Sequence, residues 1–330
     1  MRVLVTGGAG YIGSVTARAL ADRGHDVEIL DNFSTGHRAA LLPDAQLHEG
    51  SLLDDAFLAG VFRHAFDAVL HFAAFSLVGE SVEHPDRYHL NNVVGSAKLL
   101  DAVAASKVSR FIFSSSAAVY GEPDTLPLTE ASATVPTNPY GQTKLTMEGL
   151  LRDAAETLGL RAVALRYFNA CGATGALGED HTPETHLIPC LLRSLLEPER
   201  TFSIYGDDYA TPDGTCIRDY IHVADLADAH VLALEWADTP GLTVMNLGTE
   251  TGNSVREVVD TAAAVTGLEI GPEVSPRRPG DPSRLVAGSG RARKLLGWAP
   301  SRCDLVTIIG DAWRWHQAHP RGYEDGVTGE

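Results

Sequence analysis

The sequence predicts an α/β protein: a doubly wound parallel sheet followed by a smaller C-terminal α/β lobe. Three observations carry this. Over roughly the first 170 of 330 residues, short apolar, β-branched runs alternate with longer helical stretches. A glycine cluster closes the first of those runs and opens the first helical stretch. Past Ala170 the alternation loosens, and Gly and Pro become denser.

Taken in order, "RVLVTG" (Arg2 to Gly7) is apolar and ends in glycine, as a buried parallel strand does. A helical stretch from Tyr11 to about Arg23 stops at Gly24, and "DVEIL" (Asp26 to Leu30) is the second strand. Further strands are expected at 46–49, 68–71, 110–114 and 162–166, with helices at about 54–65, 85–106 and 139–159 between most of them. Strand–helix alternation of this kind implies parallel pairing with helices on both faces. The boundary is set at residues 1–170 for the sheet domain and 171–330 for the lobe, with some return of the chain to the sheet around 217–248. Within the second half, short strands are read at 202–206 and 243–248, and helices after His222, at 254–266 and at 303–317. The acidic tail "YEDGVTGE" is read as frayed.

Composition removes several classes of function. A net charge of −17 opposes nucleic-acid binding, which depends on neutralising phosphates with Lys and Arg. No apolar run reaches the roughly 18–20 residues of a membrane span. The first strand begins at once, leaving no room for a signal peptide, so the cytoplasm is the expected compartment. Cys171, Cys190, Cys216 and Cys303 form no C-x-x-C pair and are read as free thiols. His181 and His186, in "GEDHTPETH", are five residues apart, a poor spacing for a helical metal pair, so no metal is expected.

The glycine cluster is "TGGAGYIGS", Thr6 to Ser14. Gly8, Gly10 and Gly13 satisfy G-x-G-x-x-G; Gly7, Gly10 and Gly13 satisfy the wider G-x-x-G-x-x-G. Glycine permits a tight turn and close approach of backbone to a pyrophosphate, while the helix N-terminus offers oriented N–H donors. The cluster follows a strand, opens a helix, and is succeeded by Asp31 at the end of the second strand, which is the context a Rossmann-like dinucleotide site requires. Asp31 can accept hydrogen bonds from a ribose diol and would repel a 2′-phosphate, so NAD is expected over NADP.

Two more patterns point to chemistry at that crevice. "FIFSSSAAVYG" is a strand ending in Ser114, Ser115 and Ser116, and ligands of doubly wound sheets lie beyond the carboxyl ends of strands. "PYGQTK" then sets Tyr140 four residues before Lys144, on one face of a helix. The chain has only four lysines, Lys98, Lys107, Lys144 and Lys294, so this placement is conspicuous.

The glycine-rich start, the strand-end serine and Tyr-x-x-x-Lys resemble the extended short-chain dehydrogenase/reductase superfamily. Within it the chain is similar to the UDP-glucose (UDP-galactose) 4-epimerases. The matching segments include "DVEILDNFSTG", "NNVVGS", "LRYFNACGA", "HLIP", "IYGDDYATPDGTCIRDYIHVADLADAH" and "RRPGD", and run through essentially the whole chain. The resemblance implies Tyr140 as catalytic base, Lys144 as its electrostatic partner and ribose ligand, and Ser116 as a hydrogen-bonding partner of the reacting sugar oxygen. It implies a cofactor pocket of Gly7, Gly10, Tyr11, Ile12, Gly13, Asp31, Asn32, Ser51, Phe72, Ala73, Asn91 and Ser114, besides Tyr140 and Lys144. Asn169, Leu187, Tyr205, Arg218, Arg278 and Asp281, with Ser116 and Tyr140, are implied to hold the nucleotide sugar. A homodimer paired through the helices at about 85–106 and 139–159 is implied as well.

Two positions depart from the common family pattern: Gly50-Ser51 replaces Gly-Asp, and Ser76 stands where a lysine is frequent. Both predict weaker NAD binding than is usual. Leu285 stands where sugar size is expected to be read; UDP-N-acetylhexosamine and UDP-pentose remain alternative substrates. A 4,6-dehydratase needs an acid–base pair after the strand-end hydroxyl, and Ala117 and Ala118 occupy those places. No carboxylate-recognition site for UDP-glucuronate decarboxylation is evident. A catalytically dead NAD-sensing regulator is disfavoured, because both Tyr140 and Lys144 remain.

Overall fold

A computed structural model describes residues 1–123, 125–197, 199–278 and 281–324. Its centre is a sheet of seven parallel strands. Six are β1 (Arg2–Thr6), β2 (Asp26–Asp31), β3 (Gln46–Glu49), β4 (Ala68–His71), β5 (Arg110–Ser116) and β6 (Arg161–Tyr167). The seventh, Gly241–Leu247, pairs with β6 along its whole length and puts the returning chain at one edge. Strand order is β3-β2-β1-β4-β5-β6 and then Gly241–Leu247, so the winding direction reverses between β1 and β4.

Period-2 alternation explains how the two faces are filled. Val3 and Val5 point into one core with Leu20 of the first helix (Tyr11–Asp22) and with Leu226 and Leu234 of helix Val223–Trp236. Leu4 points into the other, with Leu99, Val103, Met147 and Leu151 from helices Ser96–Ala104 and Pro139–Leu158. A third core, including Leu191, Ile204, Val258 and Ile308, joins helices Leu187–Leu196, Val255–Thr266 and Leu305–Ala318 beside the sheet. The sequence reading assigned no element to Leu187–Leu196.

The region expected as one helix at 85–106 is segmented. Pro85–Tyr88 and Ser96–Ala104 are α-helical, while His89–Gly95 between them is a π-helix. Its wider turn lets Asn92 face inward. That side chain accepts from Phe75 N (2.9 Å) and donates to Phe75 O (2.9 Å) and Thr143 Oγ1 (3.2 Å). The expected helix at 54–65 is shorter, Asp55–Val61, capped by Asp54. No helix among the described residues is long and apolar enough to cross a membrane, and the four cysteines are free.

Candidate active site

A cavity of about 590 Å³ opens beyond the carboxyl ends of β1 and β4, where the winding reverses. Ligands of doubly wound sheets bind at this kind of switch point. Its wall at one end is the glycine turn. Gly7 has φ +73°, and a Cβ there would stand 2.6 Å from Ala73 N. A Cβ on Gly13 would stand 2.1 Å from Gly7 O, so the turn and the first helix close up only without side chains. The N-cap of that helix, Gly10, carries no side chain and borders the cavity.

Asp31 ends β2 and borders the same space. Its carboxylate accepts from Ala9 N at 2.9 Å and from Phe33 N at 2.8 Å, which orients it. Burial raises its pKa, partly countered by those backbone donors. Tyr11 donates to Gly172 O at 2.7 Å, and Asn32 accepts from Ser34 N at 3.1 Å. These residues fit NAD: a side-chain-free cradle for a pyrophosphate and an anchored carboxylate for a ribose.

Helix Pro139–Leu158 supplies the reactive pair. Asn138 caps it by accepting from Gly141 N at 2.8 Å, and Pro139 begins it. Tyr140 and Lys144 are 9% and 3% exposed and both line the cavity. Ser116 lines the cavity beside Tyr140 and favours its phenolate. Lys144 Nζ donates to Ser114 O at 2.8 Å and lies 5.7 Å from the Tyr140 ring centroid. The chain's own groups push both pKa values against charge: burial raises the phenol, partly countered by Ser116, and lowers the lysine to about 7. The chain's own groups therefore leave the phenol raised, because desolvation outweighs the help from Ser116.

The three strand-end serines have separate partners. Ser114 Oγ bonds the Tyr167 hydroxyl, Ser115 donates to Glu148 Oε1 at 2.6 Å, and Ser116 borders the cavity. Glu148, one helical turn past Lys144, also holds Arg166 of β6 in a buried bidentate pair at 2.8 and 2.6 Å.

Of the residues singled out in the sequence, Gly7, Gly10, Tyr11, Ile12, Gly13, Asp31, Asn32, Phe72, Ala73, Asn91, Ser114, Ser116, Tyr140 and Lys144 line this cavity. So do Asn169, Leu187, Arg218, Asp281 and Leu285. Arg218 and Asp281 form an ion pair in this lining. Ser51 is not in the lining, though its neighbours Gly50 and Leu52 are, and its Oγ accepts from Leu53 N at 3.2 Å. Tyr205 and Arg278 also stand outside it, the guanidinium over the ring at 4.1 Å. Not singled out in the sequence are Asn92, which fixes the Phe75 loop, and Tyr167 and Glu179, which line the cavity; His181 and His186, weighed there only as a metal pair, line it too. Only "LRYFNACGA", quoted for its resemblance, signalled Tyr167.

The family model of the NAD dependent epimerase/dehydratase family matches residues 3–248. The UDP-glucose 4-epimerase of Streptomyces lividans is 50% identical over 326 residues, covering 98% of each chain. The crystal structure of UDP-glucose 4-epimerase from Brucella ovis in complex with NAD is 49% identical, with a TM-score of 0.91 over 95% of this chain and 97% of that one. That of the Bifidobacterium longum enzyme in complex with NAD+ and UDP is 38% identical, with a TM-score of 0.93 over 98% and 100%.

Proposed function

The chain belongs to the NAD dependent epimerase/dehydratase family, and from that premise we propose the following reading of its activity. It interconverts UDP-galactose and UDP-glucose by reversible hydride transfer at sugar carbon 4, through a 4-keto sugar, with NAD retained. It is an isomerase. The observation that carries the reading is the convergence of Tyr140, Ser116 and Lys144 on the cavity that holds the glycine cradle.

Tyr140 is read as the group that takes the proton from the 4-hydroxyl and returns it. A free phenol has a pKa of about 10, so work near pH 7 requires at least about 4 kcal/mol of preferential phenolate stabilisation. Burial adds to that requirement. NAD, when bound, would supply the hydride acceptor and donor for carbon 4 and a positive charge that favours the phenolate. Lys144, fixed on Ser114 O, adds a second cation when protonated and a donor for the cofactor ribose. Ser116 orients the reacting oxygen. Arg218, with Asp281, is read as anchoring the nucleotide end, which leaves the sugar free to present either face of carbon 4. Leu285 pairs in register with Arg218 and is read as the limit on sugar size.

The assembly is read as a homodimer acting in the cytoplasm. The test of the activity is conversion of UDP-galactose to UDP-glucose by purified protein with no cofactor added. Turnover at full rate, with NAD recovered from the protein on denaturation, is expected. Dependence on supplied NAD would count against retention, and conversion confined to N-acetylated or pentose nucleotides would replace the substrate.

A further inference from the structure

A second cluster of donor atoms lies in the loop that enters helix Leu187–Leu196. The five-residue spacing of His181 and His186 is unsuited to a helical pair, but residues 179–186 contain no helix. Glu179, His181, Glu184 and His186 each bring one ligand atom to within 4.8 Å of all the others. His186 Nδ1 is 3.0 Å from Glu179 Oε1 and 3.0 Å from Glu184 Oε1. His181 Nδ1 is 3.6 Å from Glu179 Oε1 and 3.4 Å from Glu184 Oε2. Four donors bound tetrahedrally at about 2.0–2.1 Å stand about 3.3–3.4 Å apart, close to the His181 separations, while the His186 Nδ1–Glu184 Oε1 contact is a hydrogen bond that an ion would replace.

An independent observation concerns satisfaction. Glu184 Oε1 accepts from the backbone N–H groups of Thr185 (2.8 Å) and His186 (2.9 Å), which fixes the carboxylate. Its other oxygen, Oε2, and His181 Nδ1 are buried with no hydrogen-bond partner, although the Glu184 side chain is 0% exposed. Buried acceptors left in this state cost free energy unless something occupies the space between them. The two carboxylates also demand positive charge there.

We propose that Glu179, His181, Glu184 and His186 bind one divalent transition-metal ion of the zinc class through two carboxylate oxygens and two imidazole Nδ1 atoms. Mixed N/O donors in a four-fold arrangement suit Zn²⁺ better than Mg²⁺ or Ca²⁺, which take six or more oxygens. The ion would sit in the cavity wall, since Glu179, His181 and His186 line it, and would tie the loop to the N-cap of helix Leu187–Leu196. The only other such cluster among the described residues, Glu28, His48 and His64, already has the Arg2 guanidinium on Glu28, with Nε 2.6 Å away. It is a natural control.

The experiment titrates Zn²⁺ alone into EDTA-dialysed protein, in competition with a chromophoric chelator at pH 7.5. One ion per chain is expected, with affinity reduced at least 100-fold in Glu184→Gln and in His181→Asn and unchanged in His48→Asn. Because a loop variant can misfold, thermal unfolding is followed in parallel. Zn²⁺ should raise the Tm of the parent and of His48→Asn and leave that of Glu184→Gln unmoved. A parent Tm indifferent to Zn²⁺, binding that survives both loop substitutions, or equal competition by Mg²⁺ would overturn the assignment and leave a protonated-histidine ion-pair network.

Discussion

Lys144 concentrates the physical tension of the site. Buried at 3% exposure with one carbonyl partner, its ammonium is costly, and its pKa falls to about 7 from an ordinary value of 10.5. Below pH 7 the lysine is charged in folded and unfolded chains alike, and the burial penalty is fully present. Between pH 7 and 10.5 the unfolded chain binds more protons, so stability rises with pH. A Lys144→Met variant freed of NAD should accordingly be more stable than its parent at pH 6, by on the order of 4 kcal/mol, and its advantage should shrink towards pH 10. Urea unfolding of both proteins across that range is the measurement; a pH-independent difference would mean a hydrated lysine. The pair Tyr140 and Lys144 was legible in the sequence because four-residue spacing on a helix is a local property. The sign of their pKa shifts was not, because burial is a property of the whole fold.

At the scale of elements, the Tyr140 helix must hold its register on the sheet for the hydroxyl to meet Ser116. Glu148 supplies that hold: it clamps Arg166 of β6 and takes the Ser115 hydroxyl of β5, and both ions are at most 5% exposed. Removing one partner leaves a buried, unpaired charge. Arg166→Met should therefore cost about 3–5 kcal/mol in denaturant unfolding, whereas the double change Glu148→Leu with Arg166→Met should recover much of it. Equal losses for single and double variants would contradict this role. Strands β1 to β6 were readable from short apolar runs within a residue or two. The π-turn at His89–Gly95 was not, since its cause is the long-range bonding of Asn92 to Phe75 and Thr143. The short strands Asn169–Cys171, Ile217–Arg218 and Arg284–Leu285 are two or three residues each, too short for any periodicity to register.

For the molecule as a whole, one end of the cavity was legible and the other was not. The glycine turn, Asp31 and the Tyr140 helix all belong to contiguous motifs of the first 170 residues. Arg218 and Asp281 are 63 positions apart and meet only after the chain returns to the sheet, so resemblance rather than pattern located them. Leu90, 50% exposed, lies in the segment 85–106 expected to pair in a dimer. Sedimentation should give a mass near twice 35.2 kDa for the parent and half of that for Leu90→Asp; a parent monomer would remove the dimer. The central claim is that one phenol moves the proton at the sugar stereocentre. Tyr140→Phe tests it most directly, by steady-state conversion of UDP-galactose with NAD content verified. A fall in kcat of about 10²–10⁴-fold with NAD still bound is predicted, and turnover near the parent rate would contradict the account.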